Sequence, residues 1–565
     1  MTPDPLSFFT IDHGTASTAA ALIAPVGGRF RLLASSAAPA GIDVEVILGD
    51  LVARVRACEP DLLRAPDDWP SWARLEIATH RPLSLVCVAG SERRADEVAR
   101  AFGISGWDVL ARFGGPEVDP VALTEACHDR SVTAVCLSAG EPPSPDERPG
   151  LTQLAPMLAA AAQRRPDLRV ILAGGASSWG ESFPAERVSH APMTAPGSRG
   201  GDGGAPRSFL ELAARWAPGL GPTRLADGRQ AFMVGAASLA SLLDRAVDAV
   251  DVGHAAGMRT VADPDGSIEW LLRADAALVP ARSLADDGEV DRILRWCALP
   301  ADQSTLRDRV RNLGLAPWRD AAGDGARIRL AALRAALERL SGAWASDDRD
   351  ASHRYRKATR RAIGTSVPGG IPRRATSDAG SVSTPDLVLA SGGAFASVPA
   401  PIAALALLDA LRRPGARTMI WDHARLLAPI GTLAAEADRR RLMVDLLDDA
   451  FVPLGSALVA GEVGPGHPTT LRVSTSFGSS ETALTVGSLR TVDLPPGVTA
   501  HVELESQEPV MLGLRARHVT MALTGGLAGL LVDTRETPLR LHERGDRRRA
   551  QLDGWERALW AGFDA

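Results

Sequence analysis

Three short stretches of this chain combine carboxylates, hydroxyls and glycines in a way suited to holding a phosphate group. The first is Asp12, His13, Gly14, Thr15, Ala16, Ser17 and Thr18, set between two apolar runs. A carboxylate at a strand end can hold magnesium through water, while a glycine and the amides and hydroxyls after it surround phosphate oxygens. Asp followed by Gly also closes ordinary hairpins, so this stretch alone leaves both readings open. The second, Asp251, Val252, Gly253, His254, Ala255, Ala256 and Gly257, repeats the Asp, any residue, Gly spacing after another apolar strand. Such recurrence is expected when two similar halves each supply a phosphate loop. The third is Ser391, Gly392, Gly393, Ala394 and Phe395, which leads into a helix expected over 399–412 with Pro399 at its opening. A double glycine lets the backbone pass close to a nucleoside, and a helix amino end favours anions.

Elements that could position these stretches follow from hydropathy. Strand patterns cover 8–12 and 19–23 on either side of the first stretch, and a helical pattern covers 44–56. Strands at 83–88, 133–138 and 169–173 alternate with helices at 92–102 and 151–164, the signature of a parallel α/β layer. Residues 182–207, rich in Gly, Pro and Ser, hold too little apolar surface to order themselves, so deletion of 196–206 should barely move the melting temperature. A polar stretch, 346–383, separates a helix at 328–340 from a strand at 387–390. Strands dominate toward the end (500–504, 519–523, 529–532), followed by an amphipathic helix bearing Leu552, Trp555 and Leu559.

The 565 residues, 45% hydrophobic, can bury several cores. Net charge is −6 with acids and bases interspersed, which argues against a nucleic-acid partner. The five cysteines are scattered without a CxxC pair, so neither a disulfide framework nor a thiolate metal cluster is expected. No apolar run approaches the ~20 residues that cross a bilayer, and no leader is apparent; a cytoplasmic location and no membrane association are expected.

Two Asp loops followed by a strand, Gly, Gly, helix element, in this order, resemble the phosphate and adenosine signatures of the superfamily that contains actin, sugar kinases and heat-shock chaperones. Within it the chain most resembles the MutL accessory family of glutamate mutase systems. The resemblance runs through Ser391 to Phe395, Pro399, Ala403 to Leu405, Leu407 to Leu411, Asp422, Leu426, Leu427 and Gly431, with further support at Pro453 to Gly455 and Gly525 to Arg535.

The resemblance implies an α/β fold: a duplicated actin-like ATPase (ribonuclease H-like) architecture with an inserted α/β unit and a β-rich C-terminal region. The expected divisions are 1–80 for the start of lobe I, 81–181 for the inserted Rossmann-like unit and 182–207 for a flexible insertion. Lobe II would open at 208–345, be interrupted by a polar linker at 346–383 and continue with the adenosine loop at 384–470, before the β-rich region at 471–565. It further implies ATP or ADP with Mg2+ as ligand, held by Asp12, Gly14, Thr15, Thr18, Gly253, Gly392 and Gly393. Asp12 and Asp251 would be the metal ligands, and Asp251 the general base if ATP is hydrolysed.

The implied partner is an adenosylcobalamin-dependent mutase, for which the chain would be a chaperone or reactivation factor with weak or absent ATP hydrolysis. A scaffold that binds no nucleotide and a small-molecule kinase or ATP-dependent hydrolase are the alternatives. The second loop departs from the family pattern, with His254, Ala256, Gly257 and Met258 where Gly, Thr, Thr and Asp are usual; restoring those four should add phosphate ligands. A glycine-rich loop expected in the inserted unit is reduced to Ser138, Ala139, Gly140 and Glu141.

Overall fold

Apolar alternation after Phe8 produces a meander of β1 (Phe8–His13), β2 (Ser17–Val26) and β3 (Arg29–Pro39), each antiparallel to the last. Phe9, Ile11 and Leu22 bury one face of it against Leu48, Leu51 and Val52 of α1 (Val44–Cys58), whose first turn is capped by the Asp43 carboxylate. β4 (Ala73–Ala78) then returns parallel to β1. The computed structural model describes residues 7–63, 66–192, 205–216, 225–318, 322–362, 380–381, 386–461, 463, 469–512 and 515–559.

The chain next leaves this sheet for an inserted unit comprising β5 (Ser84–Ala89), α2 (Glu92–Gly103), β6 (Asp108–Gly114), α3 (Pro120–His128), β7 (Ala134–Ala139), α4 (Glu147–Arg164), β8 (Arg169–Gly174), β9 (Val188–Ala191) and α5 (Ala205–Trp216). Its strands are all parallel, in the order β6-β5-β7-β8-β9, with apolar residues on both faces as helix-covered sheets require. Two expectations are corrected here. Part of the stretch expected to be a flexible insertion, 182–207, is β9 at the sheet edge, and Ala205 and Pro206 are buried in the first turn of α5; 193–204 lies outside the described residues. Residues 208–216 belong to this unit rather than to lobe II, because Phe209 stacks on Phe102 of α2. Deletion of 196–206 would therefore cut into packed structure.

β10 (Ala226–Asp227) rejoins the first sheet beside β4, giving the order β3-β2-β1-β4-β10. After α6 (Gly228–Leu243) the pattern is built again. β11 (Val247–Val252), β12 (Gly257–Ala262) and β13 (Ile268–Arg273) form a second meander. Helices α7 (Asp287–Leu294), α8 (Gln303–Leu315) and α9 (Gly323–Ala362) follow, then a short β14 (Gly380–Ser381). The stretch expected as a linker from 346 thus begins as a continuation of α9. β15 (Asp386–Ser391), α10 (Gly393–Ala396), α11 (Ala400–Ala410) and β16 (Gly415–Asp422) complete the order β13-β12-β11-β15-β16. An antiparallel three-strand meander followed by two parallel strands thus occurs twice, which is the duplicated ribonuclease H-like, actin-like fold.

The second sheet is extended past β16. After α12 (Leu427–Gly431) and α13 (Glu436–Ala450), β17 (Phe451–Val459) adds antiparallel to β16. The C-terminal region contributes β18 (Thr469–Thr475), β19 (Gly478–Ala483), β20 (Leu489–Val492), β21 (Thr499–Met511), β22 (Arg515–Thr524), β23 (Leu530–Asp533) and α14 (Gly545–Leu559). β23 and β20 close the eight-stranded sheet of lobe II, while the rest form a separate sheet of order β14-β22-β21-β18-β19. α14 returns to the lobe II core with Leu552 and Trp555, and a buried ionic network fastens it. Arg334 of α9 binds Asp409 of α11 and Glu556 of α14, each at 2.7 Å, and Arg535 binds Asp409 at 2.6 Å. Such a network is worth little against an apolar core, but breaking it strands a buried charge.

The lobes meet where α6 crosses α12. Gly431 lies so close to α6 that a Cβ there would stand 2.0 Å from the Ala231 carbonyl oxygen, and one at Gly235 would stand 2.4 Å from that of Leu427. Backbone cannot yield as a side-chain tip can, so Gly431→Ala should cost about 3 kcal/mol or more and lower Tm by several degrees. Gly554→Ala, in α14 with nothing within 4 Å, is the control and should raise Tm slightly. Equal Tm changes in the two variants would refute the close-packing account.

Candidate functional site

The two Asp loops form the same turn. The Gly14 amide donates to the Ser17 carbonyl at 3.0 Å, and the Gly253 amide donates to the Ala256 carbonyl at 2.9 Å. Each acceptor stands five positions after its aspartate, so Asp12 at the end of β1 and Asp251 near the end of β11 occupy matching places across an inter-lobe cleft. The third stretch arrives beside them: Gly392 has φ +96°, and a Cβ on it would lie 2.4 Å from Asp251 Oδ1. Only glycine permits that turn at that distance.

Asp12, Gly14, Thr15, Asp251, Gly253, Gly392 and Gly393 all line the cleft. Thr18 does not: it is buried within β2, and the hydroxyl facing the cleft from that strand belongs to Ser17, as strand alternation requires. The helix expected over 399–412 is α11, Ala400–Ala410 with Pro399 at its opening, and one further turn, α10, separates it from the glycines.

Two arginines that the motifs did not single out complete the site. Arg425 follows β16 in a turn whose backbone is left-handed (φ +56°), and the Asp422 carboxylate holds that turn by accepting from the amides of Leu426 and Leu427. This conformation sends the guanidinium across to lobe I, where Nη1 lies 3.2 Å from Asp12 Oδ2 and 3.5 Å from Ser17 Oγ. Arg229 opens α6 behind the Asp227 cap and donates from Nη2 to the His80 carbonyl at 2.7 Å. Arg425 is 7% exposed and Arg229 5%; Nη2 of the former and Nε and Nη1 of the latter have no hydrogen-bond partner among the described residues. Unpaired buried N–H donors are costly, and an anionic ligand would satisfy them.

The acids respond to the same enclosure. Burial pushes Asp251 up to about 7, with the nearby charge of Asp12 adding to the effect and Arg425 opposing it. Burial raises Asp12 as well, against the pull of Arg425 and His13. Asp422 stands at about 6, raised by burial and held back by the amides of Leu426 and Leu427.

The residues do not fit the magnesium site expected at Asp12 and Asp251. Asp12 already carries the Arg425 guanidinium as its counter-charge, at the place where magnesium would need that oxygen and room for its waters. Among the described residues no three His, Cys, Asp or Glu side chains converge on a point suited to a metal ion.

The departures in the second loop are built into the packing. His254 donates from Nε2 to the Gly314 carbonyl at 2.7 Å, since a carbonyl can only accept. A Cβ at Gly257 would stand 2.3 Å from the Ala276 carbonyl oxygen, and Met258, 3% exposed, is packed into the apolar core at the cleft wall. Restoring Thr at 257 and Asp at 258 would thus break structure instead of adding phosphate ligands, which corrects that expectation. The free space in the cleft is about 100 Å³, against roughly 300 Å³ or more for a typical small-ligand pocket, so a nucleotide requires the lobes to part.

No protein-family model matches the chain, and no curated protein matches it. Among solved structures it is similar to the nucleotide-free structure of an acetone carboxylase that performs ATP-dependent acetone carboxylation (10% identity, 84% of this chain and 80% of that one, TM-score 0.27). It is also similar to a PilM–PilN type IV pilus biogenesis complex (14% identity, 71% and 84%, TM-score 0.20). A third is a Ppx/GppA family member from Aquifex aeolicus (8% identity, 52% and 60%, TM-score 0.15). The fold assignment rests on the strand orders and the paired turns. Among the described residues no helix is long and apolar enough to cross a membrane.

The raised Asp251 predicts a pH dependence of stability. Its folded value near 7 lies above the ordinary 3.8, so the contribution is complete below about pH 4 and is lost as pH rises through about 7. Asp251→Asn, which is never charged, should exceed the parent in stability at pH 8.5 by on the order of 2 to 4 kcal/mol, the gap closing by pH 4.5. Thermal melts across that range check it; a gap that did not vary with pH would contradict the assignment.

Proposed function

We propose that this chain binds an adenine nucleotide in the inter-lobe cleft, hydrolyses it slowly or not at all, and acts as an accessory factor for an adenosylcobalamin-dependent mutase. The observation that carries the nucleotide part is the pair of buried arginines, Arg229 and Arg425, which line a cleft framed by two matching Asp-x-Gly turns and the Gly392–Gly393 approach and which each keep N–H groups without a hydrogen-bond partner among the described residues. Phe232, Leu278 and Trp318 supply an apolar wall in the same cleft, suited to a base. The mutase part rests on the resemblance in the stretch from Ser391 to Gly431.

Weak hydrolysis follows from the second loop. His254 is committed to a backbone carbonyl, and Ala256 and Gly257 carry no hydroxyl for a terminal phosphate. Each missing charge-assisted hydrogen bond is worth roughly 1.5 to 3 kcal/mol, so two lower triphosphate affinity by about 10² to 10⁴. A scaffold without nucleotide is the second reading, favoured by the narrow cleft and the Asp12–Arg425 pair that spans it. An enzyme using Asp251 as general base would find it near its working pH, and a metabolite-phosphorylation screen addresses that case.

Calorimetric titration of the full chain with ATP and with ADP should give dissociation constants from roughly 10 μM to 1 mM that differ by less than about five-fold. No heat with either nucleotide would favour the scaffold, and rapid turnover would favour the enzyme. Affinity purification from the native cells should enrich a cobalamin-dependent mutase subunit; its repeated absence would remove the accessory part of the proposal.

A further inference from the structure

The place between the two Asp-x-Gly turns, where a divalent cation would neutralise Asp12 and a phosphate together, holds a side chain of the protein itself. Arg425 Nη1 is 3.2 Å from Asp12 Oδ2 and within reach of the Ser17 hydroxyl. Cβ atoms built on Gly14 and Gly393 would lie 3.7 and 3.6 Å from that same nitrogen, so the guanidinium sits between the phosphate loop of lobe I and the double glycine of lobe II. The backbone adopts a left-handed conformation to put it there, which is unfavourable for a residue with a Cβ. Its other terminal nitrogen, Nη2, is buried without a hydrogen-bond partner among the described residues. Arg229 lines the same cleft, and its Nε and Nη1 are buried without a hydrogen-bond partner among the described residues.

We propose that Arg425 takes the place of the divalent cation, so that the cleft binds a phosphate-bearing ligand without metal: its guanidinium, with Arg229, receives phosphate oxygens in competition with Asp12. A guanidinium is suited to the exchange. It is permanently charged, offers its donors in a planar fork, and is tethered where a metal would have to be recruited from solution with its waters. Asp12 changes role accordingly. Toward a metal it would be a ligand; toward Arg425 it is a competitor of the incoming phosphate.

The inference rests on the cleft being a phosphate site, and the test separates the two. Binding of ATP and of inorganic tripolyphosphate to the full chain is measured by calorimetry in EDTA and again in excess magnesium. Both should bind in EDTA, with affinities unchanged by magnesium within about two-fold. Asp12→Asn should tighten metal-free tripolyphosphate binding several-fold by releasing Arg425, where loss of a metal ligand would weaken binding in magnesium. Arg425→Gln should weaken metal-free binding at least about ten-fold, with a thermal melt confirming that the variant is folded. ATP binding that appears only with magnesium would overturn the inference and leave the nucleotide reading standing. Metal-free binding of tripolyphosphate without ATP binding would uphold the inference and remove the nucleotide reading. Binding of neither probe in either buffer would overturn both.

Discussion

Charge buried between two lobes sets the conditions for the residues around it. Asp12 and Arg425 come from different sheets and meet in a cleft nearly closed to water, where an isolated charge is unaffordable and a lost partner costs about 3 to 5 kcal/mol. Several features follow from keeping that pair. Gly14 and Gly393 leave room for the guanidinium, and Asp422 gives up solvation to fix the turn that aims it. Asp251, with no counter-charge of its own comparable to that pair, retains its proton to a higher pH than an exposed carboxylate would.

The inserted unit displays the opposite arrangement. Counting its strands from β5, its order is 2-1-3-4-5, and open parallel sheets of this kind take ligands where the order reverses, between the carboxyl ends of β5 and β7. That place is filled by Glu147, 3% exposed, which accepts from the amides of Gly140 and Ser144 and from Arg94. Gly140 belongs to the loop that the sequence showed to be short of glycines. A Cβ on Gly90 would lie 2.4 Å from the Glu147 carbonyl oxygen, so α4 is pressed against the loop with no gap for a ligand. An internal anion satisfies donors there as an internal cation satisfies Asp12 in the cleft.

The parts of this architecture that were legible in the sequence are those set by local pattern. Alternation marked the first meander, the recurrence of Asp-x-Gly marked the duplication, and Gly392 and Gly393 marked the close approach. What escaped depended on tertiary context. Val188–Ala191 is a strand because β8 offers it an edge, in a segment whose composition suggested disorder. Ala205 and Pro206 are buried because Phe209, one turn on, finds Phe102. Arg425 stands between residues that carried the family resemblance, yet nothing in its neighbours reveals a left-handed backbone, since that region is sparsely used by any side chain with a Cβ. Arg229 had a visible sign in the Asp227 cap before it, though a cap specifies only where the helix starts.

How far the lobes can part limits what a ligand can accomplish. Besides the Asp12–Arg425 pair, they are joined by α6 against α12, by β3 against α13, where Arg31 binds Asp449 through two 2.6 Å contacts and Asp445 accepts from the Phe30 amide, by an apolar cluster running from Ala21 and Ile23 through Phe232 to Leu389 and Leu427, and by the inserted unit, whose Gly106 amide donates to the Leu272 carbonyl while the Leu272 amide donates to that of Ile104. The α6–α12 contact is backbone on backbone at glycines, which behaves as a pivot more readily than a sliding surface. The β3–α13 contacts are partly exposed and individually worth about 1 kcal/mol or less, so they can break and re-form in water. A ligand shifts the balance only by the difference in its affinity for the two states, and under the proposal above phosphate oxygens that took over Arg425 and Arg229 would supply such a difference without any hydrolysis step. A protein built in this way can change shape on binding while leaving its ligand chemically intact.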